Sequence, residues 1–256
     1  MPDQSLSMKE IGDSHVEEFR ATGFTVLRGA FDAAAVATLD RWTEALAARP
    51  EEPGRHWVYR EASQLNPEQS LICRIENIVP FDADFRGLDA VLKAPVAKLL
   101  GEEAVLFKDK INFKLPGGDG FKAHQDAQAG WNVYAGFYIT VMVSIDASTV
   151  ENGCLELVGG RHREGLLGPE FEPLTGDAAT VGYLPYPTEP GDVVFFDSYT
   201  PHRSMPNHTA EPRRVLYWTY NRLSEGDHRV RYFEDKHKNY PPDVEREANK
   251  TYVFRV

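Results

Sequence analysis

VLFKDKINFKL at residues 105–115, GFYITVMVSIDA at 136–147, CLELVGG at 154–160, DVVFFDS at 192–198 and RRVLYWTYNRL at 213–223 make up one long stretch rich in β-branched and aromatic residues. Turn residues separate the runs: GGDG at 117–120, ENG at 151–153 and EPGD at 189–192. Strands in succession with no helix between them predict a β-sandwich or barrel, because each half-apolar strand needs a second sheet to cover it. Upstream the pattern mixes. A short helix is predicted over 15–22, stopped by Gly23, and a strand over 24–27. Asp32 caps a helix in DAAAVATLDRWTEALAARP, where Val36, Leu39, Trp42 and Leu46 share one face and Pro50 supplies the stop. The polar segment 50–67 reads as a long loop before a strand over 71–79, and 89–100 reads as a second helix closed by Gly101. The expectation is a mainly β protein with flanking helices and one domain over 1–256. Within it, N-terminal helices at about 9–100 buttress a barrel core at about 105–223, and 224–256 is a polar and aromatic C-terminal extension.

Composition narrows the function classes. The chain has 256 residues, of which 42% are hydrophobic and 26% charged, enough to bury a core and too apolar for disorder. Lys and Arg number 28 against 39 Asp and Glu, so the formal net charge of -11 opposes general binding to nucleic acid or to an anionic membrane. The cysteines are Cys73 and Cys154, without a CxxC spacing, which argues against a zinc finger or a disulfide framework and for a reducing cytoplasm. The first fourteen residues hold no apolar signal-peptide core, and no run approaches the roughly 20 apolar residues of a transmembrane helix. A soluble, cytoplasmic protein with a small-molecule partner is expected; the sequence leaves the oligomeric state open.

The chemistry-bearing residues follow the glycine-rich turn. In an extended segment residues i and i+2 point the same way, so His124 and Asp126 of HQD can offer an imidazole and a carboxylate to one metal. An isolated HxD is weak evidence. His202, in the turn SYTPHRS after the strand DVVFFDS, adds a third ligand, and two His with one carboxylate form the facial triad of non-haem Fe(II) oxygenases. Arg213 lies eleven residues beyond His202 at the start of a strand, where its guanidinium suits the distal carboxylate of a chelating keto-diacid. Ser204 adds a hydroxyl to that carboxylate, while Arg214 points the other way, to the surface.

With these residues in order, GFKAHQD at 120–126, NGCLELVGGRHREG at 152–165 and GDVVFFDSYTPHRSMPNHTAEPRRVLYWTYN at 191–221 make the chain resemble the phytanoyl-CoA dioxygenase family of Fe(II)/2-oxoglutarate oxygenases, over about 15–223. The resemblance implies a double-stranded β-helix (jelly roll, cupin-like), with His124, Asp126 and His202 as iron ligands and catalytic centre, Arg213 binding 2-oxoglutarate, and O2 as oxidant. Retention of Asp126 favours hydroxylation over halogenation. The run KDKINFKLPGGDGFKAHQD is most similar to the branch hydroxylating 2-aminoethylphosphonate-type organophosphonates.

The substrate reading rests on FKDKINFK, whose alternation puts Lys108, Lys110, Asn112 and Lys114 on one face. One account is an edge strand guarded by lysines, with Lys114 the most exposed; the other is an anion site, aided by Arg161, His162 or Arg163. Asn112 is expected nearer the iron and 2-oxoglutarate, and Trp131 and Tyr134 cover the far end, stacking on an ammonium or packing as a lid. The function expected is therefore hydroxylation of a small anionic or zwitterionic substrate, such as 2-aminoethylphosphonate or its N-methylated analogue, with release of succinate and CO2. The alternatives are hydroxylation of another small metabolite or an acyl-CoA, a non-catalytic cupin-like binding protein, for which Arg213 would have no use, or a zinc hydrolase with Asp197 or Glu156 as base.

Overall fold

The computed structural model describes residues 6–252; residues 1–5 and 253–256 of the expected 1–256 span lie outside the described residues. The elements run α1 (Asp13–Thr22), β1 (Phe24–Leu27), α2 (Ala33–Ala47), β2 (Trp57–Ala62), β3 (Ser70–Glu76), α3 (Ala83–Leu100), β4 (Ala104–Lys114), β5 (Phe121–His124), β6 (Ile139–Ser144), β7 (Leu155–Leu157), α4 (Asp177–Thr180), β8 (Leu184–Tyr186), β9 (Val193–Asp197), β10 (His202–Ser204), β11 (Arg213–Arg222) and α5 (Arg229–Asn239). Seven strands form one sheet in the order β1-β9-β6-β11-β4-β3-β2, and four form a second in the order β5-β10-β7-β8. Every pairing is antiparallel, and the two sheets make a double-stranded β-helix, the jelly roll of the cupin-like folds.

Strand alternation sorts the side chains into two layers. On the outer face Ile111, Val141, Phe195, Leu216 and Trp218 merge with Val16 and Phe19 of α1, Leu39 and Leu46 of α2, and Phe85, Leu88, Leu92 and Val96 of α3 into one apolar layer. On the inner face Met142, Val194, Phe196, Val215 and Tyr217 meet Leu155 and Leu157 of the small sheet. A third, aromatic cluster closes one end, built from Trp57, Tyr59, Phe107, Trp131 and Tyr138 together with Tyr232 and Phe233 of α5. Among the described residues no helix is long and apolar enough to cross a membrane.

Four sequence expectations need correction. The loop expected over 50–67 contains β2, which pairs with β3; the charged Arg60 and Glu61 mask the apolar start at Trp57, Val58 and Tyr59. The helix expected over 89–100 starts six residues earlier, where the Asp82 side chain accepts from the backbone of Asp84 and Phe85. β4 is no edge strand, since it pairs with β11 on one side and β3 on the other, and Lys114 is buried instead of exposed. The extension after 224 contains α5, with Arg229, Tyr232, Phe233 and Lys236 at helical spacing on the side facing the barrel.

Candidate metal centre and cavity

β5 ends at His124, Gln125 is extended at φ -112° and ψ 136°, and Asp126 opens a 3₁₀ turn over Asp126–Ala129. The extended residue between them keeps His124 and Asp126 on one side, as alternation requires. His202 enters from β10, a strand and not a turn, whose register pairs it directly with His124. The His124 and His202 ring centroids lie 4.2 Å apart. Asp126 Oδ1 is 4.0 Å from His124 Nε2 and 3.8 Å from His202 Nε2, and the ligand atoms of the three side chains all lie within 4.8 Å of one another.

The surroundings prepare these groups to accept a cation. His124 Nδ1 lies 2.7 Å from the Lys122 carbonyl and His202 Nδ1 3.0 Å from the Thr200 carbonyl. A carbonyl only accepts, so each Nδ1 carries the proton and each Nε2 presents a lone pair to the cluster. Thr140 Oγ1 donates to Asp126 Oδ2 at 2.9 Å, leaving Oδ1 for a metal. Burial, followed by the neighbouring His202, pushes His124 down to about 3, and burial likewise lowers His202, so both are neutral bases. Burial by itself would raise Asp126, but His202, Lys110, His124 and Lys108 outweigh it and hold the carboxyl below its usual range.

Arg213 reaches the same interior from β11. It is 1% exposed, donates from Nε to Ser148 Oγ at 2.5 Å, and leaves Nη2 buried without a hydrogen-bond partner. Arg214 faces the opposite way and pairs with Asp146 at 2.7 Å and Asp40 at 2.7 Å. Lys114, directly across from Arg213 in the β4–β11 register, donates to Ser204 Oγ at 2.7 Å, the Gly153 carbonyl at 3.1 Å and the Met205 carbonyl at 2.5 Å. Burial and then Arg213 lower Lys114 to about 6. Ser204 is thus positioned by a lysine that sequence reading expected in solvent. Asn112 Oδ1 is a second buried atom without a partner. The orphaned Arg213 donor fits a carboxylate of a bound keto-diacid, and the two imidazoles with one carboxylate fit Fe(II).

Two cavities share Asn112, Phe121 and His124 as a common wall. The inner one, about 30 Å³, touches all three candidate ligands with Lys108, Lys110, Trp131, Ser204 and Tyr217. The outer one, about 380 Å³, falls within the size of a small-molecule site and is lined by Tyr59, Glu61, Arg74, Phe121, Lys122 and Phe171 among others. Lys110 Nζ sits 5.0 Å from the Tyr217 ring and has neither a hydrogen bond nor an ion pair among the described residues; burial and then Lys108 lower it to about 7. Lys108 is buried 5.6 Å from the Trp131 ring and 3.9 Å from Glu76.

The remaining expected site residues lie elsewhere. Arg161 pairs with Glu164 at 2.8 Å, and His162 packs beside Gly23 and Thr200; neither lines the inner or the outer cavity. Tyr134 donates to Asp235 at 3.0 Å, outside the lining. Glu156 pairs with Arg203, Asp197 accepts from the backbone of Tyr199, and neither lines the inner cavity at the cluster. Sequence reading missed Arg74 and Glu76 of β3, Thr140 of β6 and Lys236 of α5. The signal for the first two was the alternation in SLICRIE, which puts Arg74 and Glu76 on one face, the face they share with Asn112 and Lys110 across the register.

Comparison with known proteins agrees with this architecture. The family model described as phytanoyl-CoA dioxygenase (PhyH) matches residues 19–215. The chain is similar to a 2-aminoethylphosphonate dioxygenase of an uncultured bacterium, 41% identical over 92% of this chain and 91% of that protein. It is similar to a methylphosphonate hydroxylase of Gimesia maris, 39% identical over 89% of this chain and 87% of that protein. Among solved structures, that of EctD from S. alaskensis with 2-oxoglutarate and 5-hydroxyectoine superposes with a TM-score of 0.71 at 25% identity, over 88% of this chain and 82% of that one.

Proposed function

The chain belongs to the phytanoyl-CoA dioxygenase family and is an Fe(II)/2-oxoglutarate-dependent dioxygenase, and from that premise we propose that it hydroxylates a small organophosphonate, with His124, Asp126 and His202 holding the iron. The observation that carries the substrate reading is Lys110, an ammonium with no anionic partner, on a cavity wall shared with the candidate metal ligands. Lys108 stands beside it on the same face of β4. A phosphonate oxygen supplies the missing counter-charge, and the carbon attached to phosphorus then faces the ligand cluster. Bound iron, with 2-oxoglutarate and O2, supplies the oxidation that hydroxylates that carbon and releases succinate and CO2.

The protein's own part is positioning. Arg213 Nη2 meets the far carboxylate of 2-oxoglutarate, Ser204 is held beside it by Lys114, and Asn112 lies between cosubstrate and substrate. The outer cavity leaves room for a substituent longer than a methyl group, and Glu61 with the Tyr59 and Phe121 rings gives it a wall suited to an ammonium, which favours 2-aminoethylphosphonate over methylphosphonate. We further infer one oxygenase domain, since a single apolar layer joins the helices to the sheet, and a cytoplasmic setting, since Cys73 and Cys154 are both unpaired.

The test is succinate release from 2-oxoglutarate by the iron-loaded enzyme with 2-aminoethylphosphonate, its trimethylammonium analogue, methylphosphonate, amino acids and acyl-CoAs. Coupled turnover only with the phosphonates is expected. Coupling to a non-phosphonate alone removes the substrate reading and leaves the oxygenase one.

A further inference from the structure

α5 sends two basic side chains into the barrel. Arg229 pairs with the buried carboxylate of Asp109, whose Oδ2 accepts from the backbone of Ile78 at 2.6 Å and Val79 at 3.0 Å. Lys236 pairs with Oε2 of Glu76, a carboxylate with no exposure to solvent. The other oxygen of Glu76 takes Arg74 Nε at 2.7 Å and stands 3.9 Å from Lys108 Nζ. Three cations therefore converge on one carboxylate, and the one that stands farthest from it, at 3.9 Å, is the one that lines the inner cavity.

We propose that Lys236 is a positioning residue for the substrate anion: by occupying Glu76 from the α5 side it keeps that carboxylate from closing on Lys108, whose ammonium stays turned to the cavity. The proposal rests on the phosphonate reading of that cavity. Glu76 has two oxygens and, with Lys236 and Arg74 in place, both are engaged. Take Lys236 away and Oε2 becomes a bare carboxylate oxygen in a buried site, which costs several kcal/mol unless it finds a new donor. The nearest donor on the cavity side is Lys108, held otherwise by the Trp131 ring at 5.6 Å and by Tyr232, whose ring lies 5.7 Å away and whose hydroxyl it hydrogen-bonds. A direct Lys108–Glu76 contact would spend on the protein the charge meant for the substrate. Burial pulls Lys108 down, but Glu76 more than restores it, so its ammonium keeps its charge.

The two ties of α5 separate this role from simple anchoring, because Arg229 fastens the same helix without touching Glu76. Lys236→Met, Lys236→Arg and Arg229→Met are compared with wild type in melting temperature, in KM for 2-aminoethylphosphonate and in KM for 2-oxoglutarate. We expect Lys236→Met to raise the phosphonate KM about 10-fold, a typical loss for one charge-assisted contact, with the 2-oxoglutarate KM within about twofold. Lys236→Arg should stay near wild type, and Arg229→Met should lower the melting temperature while leaving the phosphonate KM in place. An unchanged KM in Lys236→Met, or equal shifts in Lys236→Met and Arg229→Met, overturns the proposal. If wild type turns over no phosphonate, the substrate reading fails by itself, and crystal structures of wild type and Lys236→Met decide the positioning: Lys108 drawn onto Glu76 supports it, and Lys108 unmoved overturns it. Should Lys236→Met not fold, Lys236→Leu, which likewise removes the donor, carries the same readouts and the same expected outcomes.

Discussion

Arg213→Ala removes a guanidinium that is 1% exposed and whose Nη2 has no hydrogen-bond partner among the described residues. The far carboxylate of 2-oxoglutarate would then be buried without its counter-charge, a loss of about 2 to 5 kcal/mol, or about 30-fold to several thousandfold in affinity. Lys114, directly across in register, is the neighbouring cation that could help, but burial and Arg213 itself lower its pKa to about 6. Removing Arg213 lifts the second of those influences, so Lys114 regains part of its charge near neutral pH. It remains tied to Ser204, Gly153 and Met205, however, and cannot follow the carboxylate without breaking those bonds. We therefore expect the middle of the range, about 100-fold in the KM for 2-oxoglutarate, with the phosphonate KM changed by less than about threefold. The assay is succinate formation against 2-oxoglutarate concentration, paired with anaerobic calorimetric titration of the Fe(II) enzyme. Arg214→Ala is the control: it breaks the Asp146 pair on the outer face and should leave both KM values near wild type. If Arg213→Ala and Arg214→Ala behaved alike, or if the phosphonate KM moved more than that for 2-oxoglutarate, the assignment of Arg213 would be wrong.

Other perturbations test separate parts of the architecture. His124→Ala, Asp126→Ala and His202→Ala should fold with melting temperatures close to the metal-free wild type, because the apolar layers do not depend on a metal, yet bind no iron and release no succinate; normal turnover by Asp126→Ala would remove the iron assignment. Gln125, buried between two candidate ligands, donates to the Gly165 and Tyr199 carbonyls at 2.9 and 2.7 Å and accepts from Leu167 N at 2.7 Å, pinning the segment whose Phe171 and Pro173 line the outer cavity. Gln125→Ala should cost about 1 to 3 kcal/mol and speed limited proteolysis within 165–174, and protection there equal to wild type would refute the latch. Burial pushes the Asp197 carboxyl up to about 7, so the fold holds a proton that an unfolded chain releases near 4. Wild type should thus lose stability relative to Asp197→Asn as pH rises from about 4 to about 7, with no further change above, and a melting-temperature difference independent of pH would contradict the shift.

How much was legible depended on how local the signal was. Turn residues and strand alternation are nearest-neighbour properties, so β4, β6, β9 and β11, the caps at Asp32 and Gly101, and the turn that delivers His124 and Asp126 could all be read from single segments. His202 and Arg213 were reachable too, since ordered spacing along a family's motifs survives in one chain. The face of β4 was also visible, but its meaning was not. Alternation says that Lys108, Lys110, Asn112 and Lys114 point together; whether they point at water or into a barrel depends on the partner strands, and β3 and β11 lie more than thirty and about a hundred residues away.

What the sequence by itself determined is the β-rich jelly roll and the set of groups that suits an Fe(II)/2-oxoglutarate oxygenase. Tertiary structure alone decided which charges stand free. Lys114 is spent on Ser204 and two carbonyls, Arg161 on Glu164, and Lys108 is shared with a Glu76 that Lys236 holds from the C-terminal helix, which leaves Lys110 and the outer nitrogen of Arg213 without a hydrogen-bond partner among the described residues. The physical reason is that a buried charge is defined by what surrounds it in three dimensions, and those neighbours come from β3, β11 and α5, segments whose approach to β4 no local pattern encodes.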